Sequence, residues 1–334
     1  MRRTALPALA LPAATCLLLL TACGTERPGA AASPTSSTAQ DCGAGAATGS
    51  GPPTGAEAST GAEASTGAEA PTASGASAGD ASPGGDEVVV IGTGTAPGAG
   101  RTRPCATYSV TNRGTEPRTY TVTFRFLSVQ TGTGLANPEE TVRDVAPGRT
   151  VRRTVTPEGI SPDAAAGQVS VDVLTVRSVP VAEEPSEGGA CPPTGVRVYA
   201  DEGDAAMGLR VVGLHLENCG TRPYRLKGYP RVEPLDEAHA RPDGVSVLEG
   251  GDAIASGTGA DGPPEQLVLA PGERAHAVLV WRNTVDSVTD GPVNAPYARV
   301  WAKPGAAPVM VIPEFDLGTT GKLGVGPWKR EKRR

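Results

Sequence analysis

Residues 119–126 read Thr-Tyr-Thr-Val-Thr-Phe-Arg-Phe. Tyr120, Val122, Phe124 and Phe126 fall on one parity, and Thr119, Thr121, Thr123 and Arg125 on the other. Successive side chains of an extended chain point to opposite faces, so this spacing predicts a strand with one buried face. Its aromatic and β-branched residues suit a pleated, half-buried surface. Val169, Val171 and Val173 alternate with Ser170 and Asp172 in the same way, and Val88 to Ile91 reads as another strand. Turn signals stand between them at Asn112-Arg113-Gly114, Pro147-Gly148 and Thr156-Pro157. No stretch carries a helical period. Short strands at this spacing predict an antiparallel sandwich over residues 86–180.

Toward the C-terminus, residues 181–190 are acidic and carry Gly and Pro, which reads as a short hinge. A second run of strand patterns fills residues 191–334, and in one of them Ala275, Ala277, Leu279 and Trp281 share a face. The two halves echo each other. Asn112-Arg-Gly-Thr-Glu-Pro117 matches Asn218-Cys-Gly-Thr-Arg-Pro223, with Tyr120 and Tyr224 following. Later, Val145-Ala-Pro-Gly148 matches Leu269-Ala-Pro-Gly272. In each half the first motif reads as a strand-ending turn, because Asn and Gly tolerate positive φ and Pro blocks the ladder. The expectation is an all-β protein: two tandem immunoglobulin-like antiparallel β-sandwiches after a disordered lipoprotein tether.

Toward the N-terminus, residues 24–85 are dominated by Gly, Ala, Ser, Thr and Pro and include three tandem hexads from Thr54 to Pro71. The hexads lack the bulky apolar residue that each turn of a β-helix would bury, so a flexible spacer is expected, with a mean span of roughly 40–45 Å. Before it, Arg2-Arg3 is followed by an uncharged apolar run from Leu6 to Leu20, then Thr21-Ala22-Cys23. The run is shorter than the ~20 residues of a membrane span. Residues 1–22 therefore read as a signal peptide, and small residues before a cysteine fit the box read by lipoprotein signal peptidase. Cys23 would carry a diacylglycerol on its sulfur, with further acylation on the freed amine, and two or three chains anchor where one barely holds. That places the mature chain on the outer face of the cytoplasmic membrane, with the lipid bilayer as a partner through Cys23.

Of the six cysteines, Cys16 leaves with the signal and Cys23 is taken by lipid. The remaining four, Cys42, Cys105, Cys191 and Cys219, suggest disulfides in an exported chain. Three pairings are open. Cys191 with Cys219 is favoured because both fall in the second half, which leaves Cys42 to staple the end of the tether to Cys105. No C-x-x-C pair exists, and His215, His239 and His276 do not stand at ligand spacing, so no metal and no cofactor is expected. The formal net charge is −6, which offers nucleic acid no broad basic field. The basic end Trp328-Lys-Arg-Glu-Lys-Arg-Arg334 reads as a solvated tail.

No catalytic residues are expected. Gly75-Ala-Ser-Ala-Gly79 fits a nucleophile elbow in letters only, since that motif needs a strand before it and a helix after it. Gly257-Thr-Gly-Ala-Asp-Gly262 fits a dinucleotide fingerprint, but Pro263-Pro264 follows where a helix should begin, so it reads as a loop. Asp201, Glu202 and Asp204 form a small acidic cluster, read as a solvated turn or a calcium-type loop. Tyr297 and Trp301 are candidates for a carbohydrate-binding surface, whereas Trp281 points inward.

Residues 191 to about 328 also carry an ordered set of motifs: Cys191-Pro192, Leu216-Glu-Asn218, Leu226-Lys-Gly-Tyr-Pro230, Leu269-Ala-Pro-Gly-Glu273, Val280-Trp-Arg-Asn-Thr284 and Leu317-Gly-Thr-Thr-Gly-Lys-Leu-Gly324. This stretch resembles the actinobacterial lipoprotein domains catalogued as domain of unknown function number 4232. The resemblance implies a β-sandwich, export and frequent lipidation, and no activity. Many members have a cysteine shortly before Gly-Tyr-Pro, where this chain has Tyr224. The resulting expectation is a non-catalytic binding module of the cell envelope, with an envelope protein or cell-wall polymer as its partner. A ligand-capture protein and a wall-acting hydrolase or transferase are the alternatives.

Overall fold

The strand predicted from residues 119–126 is the centre of its sheet. In the computed structural model, which describes Cys42 and residues 86–98, 101–161, 167–285 and 291–331, the first half contains β1 (Glu87–Gly98), β2 (Arg101–Thr111), β3 (Arg118–Ser128), β4 (Gly134–Ala136), β5 (Glu139–Val145), β6 (Thr150–Val155) and β7 (Val169–Pro180). The signal peptide, Cys23 and the bulk of the tether lie outside the described residues. One sheet has the order β1-β2-β6. In the other, β3 pairs with β4 and β5 along one edge and with β7 along the other. All of these pairings are antiparallel.

The inward parity of β3 is fully buried at Tyr120, Val122, Phe124 and Phe126. Tyr108 from the facing sheet packs on Phe124 with ring centroids 4.6 Å apart. Burying a side chain of this size stabilises the fold by about 2–3 kcal/mol. The outward parity is less simple. Thr119 is also buried, because the segment after β7 returns over it and Glu184 accepts its hydroxyl at 3.3 Å.

The second half contains β8 (Val196–Ala200), β9 (Asp204–Ala206), β10 (Leu209–Asn218), β11 (Tyr224–Lys227), β12 (Arg231–Leu235), β13 (Ser246–Glu249), β14 (Gln266–Leu269), β15 (Arg274–Arg282), β16 (Asn294–Ala295), β17 (Tyr297–Trp301), β18 (Val309–Val311), β19 (Phe315–Asp316), β20 (Lys322–Val325) and β21 (Lys329–Arg330). Its large sheet runs β13-β20-β15-β10-β8, with β9 added to β10 and β21 to β15. Smaller sheets β11-β14, β12-β17-β18 and β16-β19 complete the sandwich. Ala275, Ala277, Leu279 and Trp281 face the core as expected. Val280, on the opposite parity, is buried as well. The loop after β13 covers it: a Cβ at Gly324 would stand 2.9 Å from Val280 Cγ1 and 3.1 Å from Ile254 Cδ1, so only glycine fits that strand position.

The solvated-tail reading of the C-terminus is corrected. Trp328 is fully buried and its indole N–H donates to the Ala302 carbonyl at 2.9 Å. Lys329 Nζ donates to the carbonyls of Gly259 and Asp261 at 2.9 and 2.6 Å, and Arg330 pairs with Glu273. An amphipathic Trp followed by cations made the segment look like a tail, but the indole closes the core while the cations anchor the loop above it.

The repeated motif has one structural meaning in both halves. Asn112 Nδ2 donates to the carbonyls of Glu116 and Val145 at 2.8 and 2.7 Å, and its Oδ1 accepts from Gly114 N–H at 2.8 Å. Asn218 Nδ2 donates to Arg222 and Leu269, both at 2.9 Å, and its Oδ1 accepts from Gly220 N–H at 3.2 Å. The Gly of each Ala-Pro-Gly turn then donates to the Asn carbonyl, Gly148 to Asn112 and Gly272 to Asn218. Each Asn thus ties a strand end to the turn that starts a later strand.

The described residues belong to one compact unit, Ala39–Arg334. Residues 181–190, read as a hinge, are tied to both sandwiches. Val181 N–H donates to Pro117 O, Ser186 N–H to Val198 O, and Glu183 accepts from Arg299 Nε at 2.8 Å. Between the sandwiches, Val179, Leu235, Tyr297 and Met310 form a small apolar cluster. Around it, Arg177 pairs with Glu314 and Glu237, and Arg118 Nη1 lies 3.2 Å from His239 Nδ1. Arginine only donates, so that ring nitrogen is unprotonated and accepts.

Candidate functional site

The four cysteines among the described residues are paired Cys191–Cys219 and Cys42–Cys105. Cys105 is buried, and Cys42 lies on the first sheet, with its N–H directed at Thr95 O and its carbonyl accepting from Thr154 Oγ1. Among the described residues, no group of three His, Cys, Asp or Glu side chains could hold a metal ion.

The acidic loop does not converge on a ligand. Asp201 Oδ1 accepts from the N–H groups of Gly203 and Gly213 at 3.0 and 2.8 Å, and its Oδ2 lies 3.0 Å from His215 Nε2. Its carboxylate is spent bracing the turn. Glu202 is exposed beside it, and Asp204 begins β9, opposite Val211. His215 stacks on Tyr199 with centroids 5.0 Å apart, a packed strand residue. Opposite it on β15, His276 is half-buried, and burial lowers its pKa. The Gly257–Gly262 loop has its own amides and carbonyls engaged, with Gly257 N–H on Asp261 and Lys329 on two carbonyls, and it begins no helix.

Tyr297 is corrected as a surface residue. It is fully buried, and its hydroxyl accepts from the N–H of Ser178 at 3.1 Å. Ser178 stands on β7, the outer strand of its sheet, so the phenol covers an edge N–H that would otherwise be open. Burial pushes the Tyr297 hydroxyl up to about 12. Alternation along β17 gives Tyr297, Arg299 and Trp301 one face. Sequence periodicity could identify that face but not what lies upon it. The first sandwich covers Tyr297, Glu183 of the connecting segment holds Arg299, and Trp301 is left half-exposed.

Trp301 stands on an open groove of about 910 Å³. Its walls are the β11–β12 turn with Lys227, Gly228, Tyr229, Pro230 and Arg231, the strand β13 with Glu249, and the β17–β18 turn with Lys303. Cross-strand pairing sets Arg231 opposite Trp301, and the guanidinium lies 4.2 Å from the ring centroid. Lys303 Nζ lies 3.7 Å from the Tyr224 centroid. Each contact is worth about 0.5–1 kcal/mol at an exposed site and fixes where the cation sits. Burial raises the Tyr224 hydroxyl pKa, which keeps that ring neutral. Beneath the groove, Trp328 N–H donates to Gly228 O at 3.0 Å, so the turn rests on the core. Of the candidate surface residues, only Trp301 reaches this site. Arg231, Lys303, Lys227 and Tyr224 were missed. The signal for them was the Lys-Gly-Tyr-Pro motif next to a strand that pairs with Trp301, but their grouping depends on strand pairing that spacing does not reveal.

Fold and groove define an all-β, disulfide-bonded protein that presents a basic and aromatic groove on its second sandwich. Residues 191–329 match the family model described as Domain of unknown function (DUF4232), so the chain carries a C-terminal domain of that family. No curated protein matches the chain.

Proposed function

We propose that this chain is a lipid-anchored, non-catalytic binding protein of the cell envelope, and that it contacts its partner through the groove at Trp301. The signal and lipobox pattern ending at Cys23 supports export and anchoring on the outer face of the cytoplasmic membrane. The observation that carries the binding role is the groove, where an aromatic ring and three cations from two turns line one open space. Preformed clefts lined by aromatic side chains and a few placed polar groups are the usual form of a binding site. The partner is an envelope protein or a cell-wall polymer.

The test is affinity capture with residues 24–334, which keep Cys42 for its partner Cys105, against solubilised envelope proteins and purified wall polymer. A saturable partner that Trp301→Ala releases supports the reading. Retention that is indifferent to Trp301→Ala moves the site elsewhere.

A further inference from the structure

We infer that the groove selects an anionic sugar polymer, with Arg231 and Lys303 holding its carboxylate or phosphate groups; this rests on the groove being the binding site. Three features point there.

First, the cations are uncompensated. Lys227, Arg231 and Lys303 form no ion pair among the described residues; Arg152 and Arg153 on β6 form none either, but these three stand together around one groove. In a chain of formal charge −6 with more acids than bases, three cations around one groove with Glu249 as the facing acid make a local positive field.

Second, the cations are held in place. The contact with Trp301, 4.2 Å from Cζ to the ring centroid, holds the Arg231 guanidinium at the groove, and Arg231 makes no ion pair among the described residues. A planar fork fits a carboxylate or phosphate through two parallel hydrogen bonds. Lys303, parked on Tyr224, supplies a second point charge from the neighbouring turn.

Third, the groove has space and aromatic surface beside the charge. About 910 Å³ exceeds what one anion needs, and Tyr229, with the part of Trp301 that Arg231 leaves uncovered, offers apolar ring surface to a sugar. Open ends suit a polymer passing through rather than a small molecule enclosed. An acidic peptide would satisfy the charges but would leave the aromatic wall without a specific role.

The mature chain, residues 23–334 produced without lipid, is titrated with three polymers of matched length: polygalacturonate, poly(ribitol phosphate) and neutral dextran. One or both anionic polymers bind saturably, and dextran does not. Binding of only one of the two names the anion as carboxylate or phosphate. The double variant R231Q/K303Q binds the same polymer roughly ten-fold or more weakly, as expected for losing charge-assisted hydrogen bonds. W301A weakens it too. R152Q/R153Q, which removes two exposed cations from β6 of the first sandwich, leaves it unchanged. Thermal unfolding of every variant shows that the fold is kept.

Dextran binding as tightly as the anionic polymers overturns anion selection and leaves the groove as a binding site. Equal losses in R152Q/R153Q and R231Q/K303Q overturn it as general charge attraction. If no polymer binds but a captured envelope protein is released by W301A, the ligand class is wrong and the groove reading stands. If W301A alters nothing in either experiment, both fall.

Discussion

At the scale of single residues, two asparagines explain why the halves echo each other. Asn112 and Asn218 are fully buried, and each makes three side-chain hydrogen bonds to backbone groups. An amide is the side chain that can donate twice and accept once in that position. Aspartate would lose both donors and bury a charge. Asn218→Ala strands the carbonyls of Arg222 and Leu269 and costs about 2–3 kcal/mol, read as a lower urea midpoint at unchanged slope. The repeat was legible in the sequence as a turn. Its bracing role was not, because the second partner, 51 positions away at Leu269, becomes adjacent only through the fold.

At the scale of elements, the strands were legible wherever one face meets the core and the other meets solvent. β3 and the core face of β15 show this at Phe124 and Leu279. The reading failed where an element is covered twice or where a short segment closes the core. Val280 and Thr119 are buried on the outward parity because a loop and the connecting segment lie over them. β21 has two residues, too few for a period to register. Its neighbour Trp328 nevertheless seals the second sandwich. Trp328→Ala removes one of the two largest fully buried side chains and should cost about 3–5 kcal/mol. Near-UV circular dichroism and the unfolding midpoint would both report it, whereas a solvated tail would leave them unmoved.

At the scale of the whole molecule, the interface between the sandwiches is sensitive to acid. His239 sits there with Arg118 and Arg299 near it and Asp236 as the nearby acid. Burial first, and then the two arginines, hold its pKa down at about 4. An unfolded chain protonates the same ring near 6.5. Between those values the unfolded state binds the extra proton, so this histidine lowers stability as pH falls from about 6.5 toward 4, and has no effect above that window. His239→Gln should flatten that part of the stability–pH curve relative to the unsubstituted chain, measured by urea unfolding at pH 7, 6 and 5. The residue was visible in the sequence, but its role was not: it acts through residues 121 positions away on the other sandwich.

The Cys42–Cys105 bond changes where the molecule is held. If the lipid is on Cys23, force arriving from the membrane crosses to the first sandwich at Cys105 and not at the start of β1. The bond closes a covalent ring across 63 positions, and β1 lies inside it. The thiol state of Cys42 and Cys105 thereby sets at which point of the chain the first sandwich is held.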